Sequence, residues 1–213
     1  MAVQFHDLLT LVGQEPVFAS ALLLAGRTPE AQVRLQMSRW VKAEKLIQLR
    51  RGLYALAPAW RKVEPHPFLT ANALQRGSYV SLQSALAFHG AIPEHVPTVT
   101  SVGPRRPETV RNALGSFQFN HLSSHMSFGY ARVEVAARQF AFVACPEKAL
   151  LDLVYLTPGG DSTAHLLSLR LQNPEAISPE TLLDVATRSG KPKLLRAARR
   201  AVALLADERG ETP

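Results

Sequence analysis

The stretch that most limits how this chain can fold is "LIQLRRGLYAL", residues 46–56. Leu46 to Leu49 and Leu53 to Leu56 are short apolar runs divided by Arg50-Arg51-Gly52. Glycine there can take the left-handed backbone conformation that a tight three-residue loop needs, so the spacing predicts two strands joined as a hairpin. Two charges sit at its tip, and the residues before it say what they are for.

Phe5 to Val12 and Val17 to Ala25 each carry helical apolar spacing; Gly13 and Pro16 separate them and Gly26 ends the second. A third helix, about Pro29 to Ala43, starts on Thr28-Pro29-Glu30. A hydroxyl there can cap free N–H groups, proline suits the first helical position, and glutamate faces the positive end of the dipole. Val33, Met37, Trp40, Val41 and Glu44 follow at three- and four-residue steps, and the first four make an apolar stripe against the earlier helices. Opposite lie Gln32, Leu35, Ser38, Arg39 and Lys42, with Arg34 at the boundary. Such side chains suit base edges in the major groove: Arg for guanine, Gln for adenine, Leu for thymine methyls. A solvated helix surface is the plain alternative.

Three helices followed by a hairpin make the winged helix-turn-helix order, in which the third helix enters the major groove and the hairpin lies over the flanking backbone. Arg50 and Arg51 are then expected beside phosphates or in the minor groove, positioning more than specifying. Thr28, at the helix start, is counted with this DNA-facing set.

Charge points the same way. The chain has 213 residues, 46% of them hydrophobic, and a formal net charge of +7. Residues 1–63 hold nine Lys/Arg against four Asp/Glu, whereas residues 64–213 hold fifteen against thirteen. A basic front on a nearly neutral body suggests a polyanion partner, nucleic acid ahead of an anionic membrane. The apolar run from Val17 to Ala25 is far short of the ~20 residues that span a bilayer. The start "MAVQFHDLL" lacks a basic segment followed by an apolar one, so a cytoplasmic chain without membrane association is expected. Cys145 is the single cysteine, leaving neither an internal disulfide nor a thiolate zinc cluster to expect.

"EPHPF" (64–68) marks a boundary between a DNA-binding domain, 1–63, and a second domain, 64–213. In the second, Ser81 is placed to cap a helix from Leu82 to His89. Thr98 to Val102, Ser116 to His121, Phe128 to Val135 and Gln139 to Ala144 read as strands with mainly antiparallel pairing, hence an α+β fold. "CPEKALLDLVYL" (145–156) is apolar almost all round from Ala149 and reads as a buried helix. Its Glu147 and Lys148 are adjacent at a helix start, unlike the acid-x-lysine triplet on a strand that a metal-dependent nuclease uses. His121 and His125 lack a nearby glutamate motif, and no phosphate loop or Gly-x-Ser-x-Gly elbow is present. No enzyme, cofactor or metal is expected. Ser178-Pro179-Glu180 repeats the helix-start pattern, and a last helix near Pro192 gathers Lys193, Arg196, Arg199 and Arg200 on one face. This face reads as a second DNA contact, a dock for an acidic partner, or a solvated surface.

Together, "SRWVKAEKLIQLRRGLYAL" (38–56), "GSYVSLQSALAFHGAIPE" (77–94) and "ACPEKALLDLVYL" (144–156) resemble the AbiEi-type antitoxins of type IV toxin–antitoxin systems. The resemblance covers most of the chain and rests on the combination of the three stretches more than on the "RRGLYAL" run, which other regulators share. It implies an N-terminal winged-helix domain that represses its own operon by binding operator DNA, and a C-terminal domain needed for antitoxin action. It also implies a neighbouring nucleotidyltransferase-like toxin, often opposed without a stable complex. A monomer or weak dimer, with two copies on repeat-containing DNA, follows. The alternative is an antitoxin that acts mainly by binding its toxin through the C-terminal domain. Glu44 departs from the family, which usually has glycine between recognition helix and wing, so a different helix end is open.

Overall fold

The computed structural model describes residues 4–25, 29–94 and 96–208. Helix α1 (Phe5–Val12) opens with a reciprocal cap between Gln4 and Asp7, the Gln4 N–H donating to the Asp7 carboxylate at 2.9 Å. The expected second helix does not form as such. Phe18–Ala19 is a short strand, β1, and Ser20–Ala25 is a 3-10 helix. Tertiary pairing wins over helical spacing here: Phe18 lies opposite Tyr54, Ala19 opposite Leu53, and the Ser20 N–H donates to the Gly52 carbonyl. Helix α2 (Glu30–Lys42) follows, then strands β2 (Leu46–Arg50) and β3 (Leu53–Leu56), in a sheet ordered β1-β3-β2. Leu8, Val12, Phe18, Val33, Met37, Trp40, Leu46, Tyr54 and Leu56 bury one another between α1, α2 and this sheet.

The α2–β2 joint keeps the geometry of a glycine-capped helix end without the glycine. The Lys45 N–H reaches back to the Trp40 carbonyl and the Glu44 N–H to the Val41 carbonyl, the paired bonds that close a helix over a left-handed residue. That residue is Glu44, at φ +54°.

The hairpin belongs to two cores. Leu46, Tyr54 and Leu56 face the first, while Leu49 and Ala55 lie in the second with the rest of the chain. The β2–β3 register slips between Gln48 and Arg50, leaving an extra residue in β2. A bulge of this kind re-aims side chains, and here it puts Arg50 on the body side with Leu49.

The body is built on a six-stranded mixed sheet. Its strands are β4 (Tyr79–Val80), β5 (Thr98–Gly103), β6 (Glu108–Asn112), β7 (Gly115–His121), β8 (Tyr130–Ala136) and β9 (Gln139–Ala144). The order is β6-β7-β5-β4-β9-β8, with β5/β7 and β4/β9 parallel and the other three pairings antiparallel. The four expected strands are present, and β4 and β6 join them. β6, "ETVRN", is a polar edge strand that periodicity does not mark.

Helices α3 (Pro67–Leu74), α4 (Leu82–Phe88) and α5 (Pro146–Leu156) pack on the sheet. After a short α6 (Thr163–Ser168), α7 (Pro179–Arg188) and α8 (Pro192–Glu208) complete the body. Ser178 caps α7 as its Ser-Pro-Glu start predicts, its hydroxyl accepting from the Thr181 N–H at 3.2 Å. Ser81 does not cap α4; its hydroxyl donates instead to Asp152 at 2.8 Å. The protein is thus a mixed α+β fold with two sheets. Among the described residues no helix is long and apolar enough to cross a membrane.

Candidate nucleic-acid interface

Helix α2 buries Val33, Met37 and Trp40 and turns Gln32, Arg34, Leu35, Ser38, Arg39 and Lys42 to solvent. Leu35 is 53% exposed, a large aliphatic side chain left in water on an otherwise polar face. Between α2, the start of the 3-10 helix and the hairpin lies a groove of about 800 Å³. Glu30, Arg34, Ser38 and Lys42 line it from α2, and Gln48, Arg51 and Gly52 line it from the hairpin. Arg34 pairs with Glu30 one turn earlier, and both remain more than half exposed. The side chains of Arg39, Lys42 and Arg51 are exposed and have no ion pair among the described residues. Gln32, Leu35 and Arg39 lie on the flank of α2 turned away from the groove. Thr28 lies outside the described residues.

Arg50 is not at the free tip. Its guanidinium donates to the Leu74 carbonyl at the end of α3 and to Glu108 at 3.3 Å, at the start of β6. Glu108 also accepts from the Gln75 amide at 3.0 Å, and Asn112 donates to the Leu49 carbonyl at 3.3 Å. Arg50 therefore ties the hairpin to the body, and the expectation of a phosphate contact is corrected to a structural tether.

Three of the four C-terminal cations also have partners elsewhere in the body. Lys193 donates to the carbonyls of Thr157 (2.6 Å) and Tyr155 (3.3 Å), satisfying the end of α5. Arg196 pairs with Asp161 at 2.9 Å, and Arg200 donates to the Asp161 carbonyl. The Arg196 guanidinium holds the Asp161 carboxyl below its ordinary range. Only Arg199 of the four stands exposed without a partner among the described residues. The face expected to be a free basic patch is chiefly the clamp that holds α8 on the loop after α5.

Sequence reasoning missed a buried polar cluster. Lys148 and Asp152, one turn apart on α5, are 1% and 0% exposed and form an ion pair. Asp152 also accepts from Tyr79 at 3.0 Å and Ser81 at 2.8 Å. Burial pushes the Asp152 carboxyl above its ordinary range despite these donors. Burial first, then the neighbouring Asp152, pushes the Tyr79 phenol up too, so it stays a donor. Glu147 accepts the Ser178 N–H at 2.8 Å, bringing α7 onto α5. The second and third stretches quoted above thus meet in this cluster. The only hint was an i, i+4 Lys/Asp pair in an otherwise apolar run.

Burial also raises the Cys145 thiol to about 11, the state of an unreactive thiol. Among the described residues no three His, Cys, Asp or Glu side chains gather as metal ligands.

No family model matches the chain, and no curated protein matches it in sequence. Among solved structures it is similar to the RV2827C protein from Mycobacterium tuberculosis, with a TM-score of 0.51 and 16% sequence identity over 91% of this chain and 77% of that one. At that identity the likeness is one of fold.

Proposed function

We propose that the N-terminal segment is a winged helix-turn-helix and that the protein is a DNA-binding transcriptional repressor of the AbiEi antitoxin kind. The observation that carries the reading is an exposed, mainly polar face on α2 flanking a groove that Ser38, Lys42 and Arg51 line, next to a hairpin in a sheet ordered β1-β3-β2. An α-helix with its side chains is about 10–12 Å across and matches the width of a major groove of ~12 Å. Gln32, Leu35, Ser38 and Arg39 then meet base edges, while Lys42 and Arg51 meet backbone phosphates. Repression is by occupancy, with two copies on repeat-containing operator DNA, and no cofactor enters. The antitoxin part of the reading rests on the three stretches that resemble that family, two of which build the body around Asp152. Antitoxin action against a nucleotidyltransferase-like toxin would follow from the body.

A salt-titrated gel shift with the gene's own upstream DNA tests it. Binding should exceed that to a mixed-sequence duplex at the same salt. Arg39→Ala should lose roughly 1–3 kcal/mol of that preference, and Arg51→Ala should weaken both duplexes and lower the salt slope by about one. Equal binding of the two duplexes by the unaltered protein rejects specific repression.

A further inference from the structure

The tether formed by Arg50 brings the hairpin tip against two segments of the body. Its acceptors are the Leu74 carbonyl and Glu108, and Gln75 donates to the same Glu108 oxygen. The two segments also touch each other: a Cβ on Gly103 would lie 3.1 Å from the Ser78 Cα and 3.4 Å from the Gln75 amide oxygen. Residues 74–78 and 103–108 therefore form a ledge against Arg50, the neighbour of Arg51 in sequence.

That ledge carries three more arginines. Arg76 follows Gln75, and Arg105 and Arg106 precede Glu108. All three are exposed, as is Arg51, and none has an acidic partner among the described residues. Pro104 and Pro107 fix φ on either side of the Arg105-Arg106 pair, and the His121 ring lies 3.1 Å from the Arg105 carbonyl, so the loop is held rather than loose. Glu108, the acid on this ledge, is already matched by Arg50. Arg51, Arg76, Arg105 and Arg106 thus stand on neighbouring segments, each without an acidic partner among the described residues.

We propose that Arg51, Arg76, Arg105 and Arg106 form one surface for the sugar-phosphate backbone of duplex DNA, extending the α2 contact from the hairpin onto the body. The proposal rests on the reading of α2 given above and adds a second domain's worth of backbone contact to it. Duplex DNA carries one negative charge per ~1.7 Å of axis, and guanidinium groups bind phosphate oxygens through paired N–H donors. Arg51 is the link to the α2 contact, since it lines the α2 groove together with Arg34 and Lys42. Arg50 acts as the positioning residue that aligns the two halves and has no part in the contact itself.

The experiment compares the unaltered protein with Arg76→Ala/Arg105→Ala/Arg106→Ala on the gene's upstream duplex and on a mixed-sequence duplex across a salt series. All three sites are exposed, so circular dichroism should show an unchanged fold. The triple variant should lower the slope of log K against log salt by about two to three on both duplexes, without changing the ratio between them. Lysine at the same three positions should restore the slope, since phosphate neutralisation needs charge. Binding by the unaltered protein with the same slope in the alanine variant overturns this proposal alone. Failure of lysine to restore the slope overturns the assignment to backbone. Absence of any binding by the unaltered protein overturns both this proposal and the reading of α2.

Discussion

Asp152 shows how much one residue can carry in this fold. It is fully buried, yet it takes hydrogen bonds from Tyr79 and Ser81 and pairs with Lys148. Removing the carboxylate alone leaves the Lys148 ammonium in the interior with no counter-charge, a change that typically costs about 3–5 kcal/mol. Asp152→Ala should therefore lower stability by roughly that amount in chemical denaturation, with the Tyr79 phenol also stranded. Replacing both members together, as Lys148→Met/Asp152→Leu, should recover the part of the loss that comes from the unpaired ammonium, though not the part from the stranded hydroxyls. A double variant as unstable as the single one would show that the pair is not the source of the cost.

At the scale of elements, the joint between α2 and β2 decides where the hairpin points. The backbone at Glu44 is left-handed, a conformation that costs an L-residue about 1–2 kcal/mol and glycine almost nothing. Glutamate is held there because the paired bonds from Lys45 and Glu44 over-determine the turn. Glu44→Gly should thus stabilise the protein by roughly 0.5–1 kcal/mol, the relief of strain less the greater chain entropy of glycine. Equilibrium denaturation reads this directly, and a destabilised glycine variant would contradict it. The departure from the glycine usual in the resembling family therefore changes the residue and leaves the turn type intact. The bulge in β2 is the other decision at this scale. By strict alternation Arg50 would share a face with Gln48, which lines the α2 groove; the extra residue sends it to the body.

Across the molecule, the hairpin is shared between two cores and links their stabilities. Both tryptophans, Trp40 and Trp60, lie in the first 63 residues, so their fluorescence reports the N-terminal part, while far-ultraviolet circular dichroism follows all helices and strands. Because Leu49 and Ala55 pack in the second core and Arg50 is tied to Glu108, the two signals should change at one denaturant concentration. An earlier fluorescence transition would mean that the N-terminal part opens by itself.

What could be read along the chain was what is local. The start of α7, the hairpin about Gly52, the buried stripe Val33–Met37–Trp40 and the exposed face from Gln32 to Lys42 all follow from residues within about four positions of one another, whereas α2 starts one residue late, with Pro29 at its N-cap and not in its first turn. The destinations of the charged side chains did not follow. Arg50 finds Leu74 and Glu108 at separations of 24 and 58 residues, and Tyr79 finds Asp152 at 73. Lys193, Arg196 and Arg200 look on a helical projection like a free basic face, yet they close carbonyls and an aspartate more than thirty residues away. The second expected helix became β1 and a 3-10 turn for the same reason, since its strand partner, Leu53–Tyr54, comes 34 or more residues later. Periodicity shows which face of an element is polar; only the folded chain shows which of those polar groups already have a partner, because that depends on what the rest of the chain brings beside them.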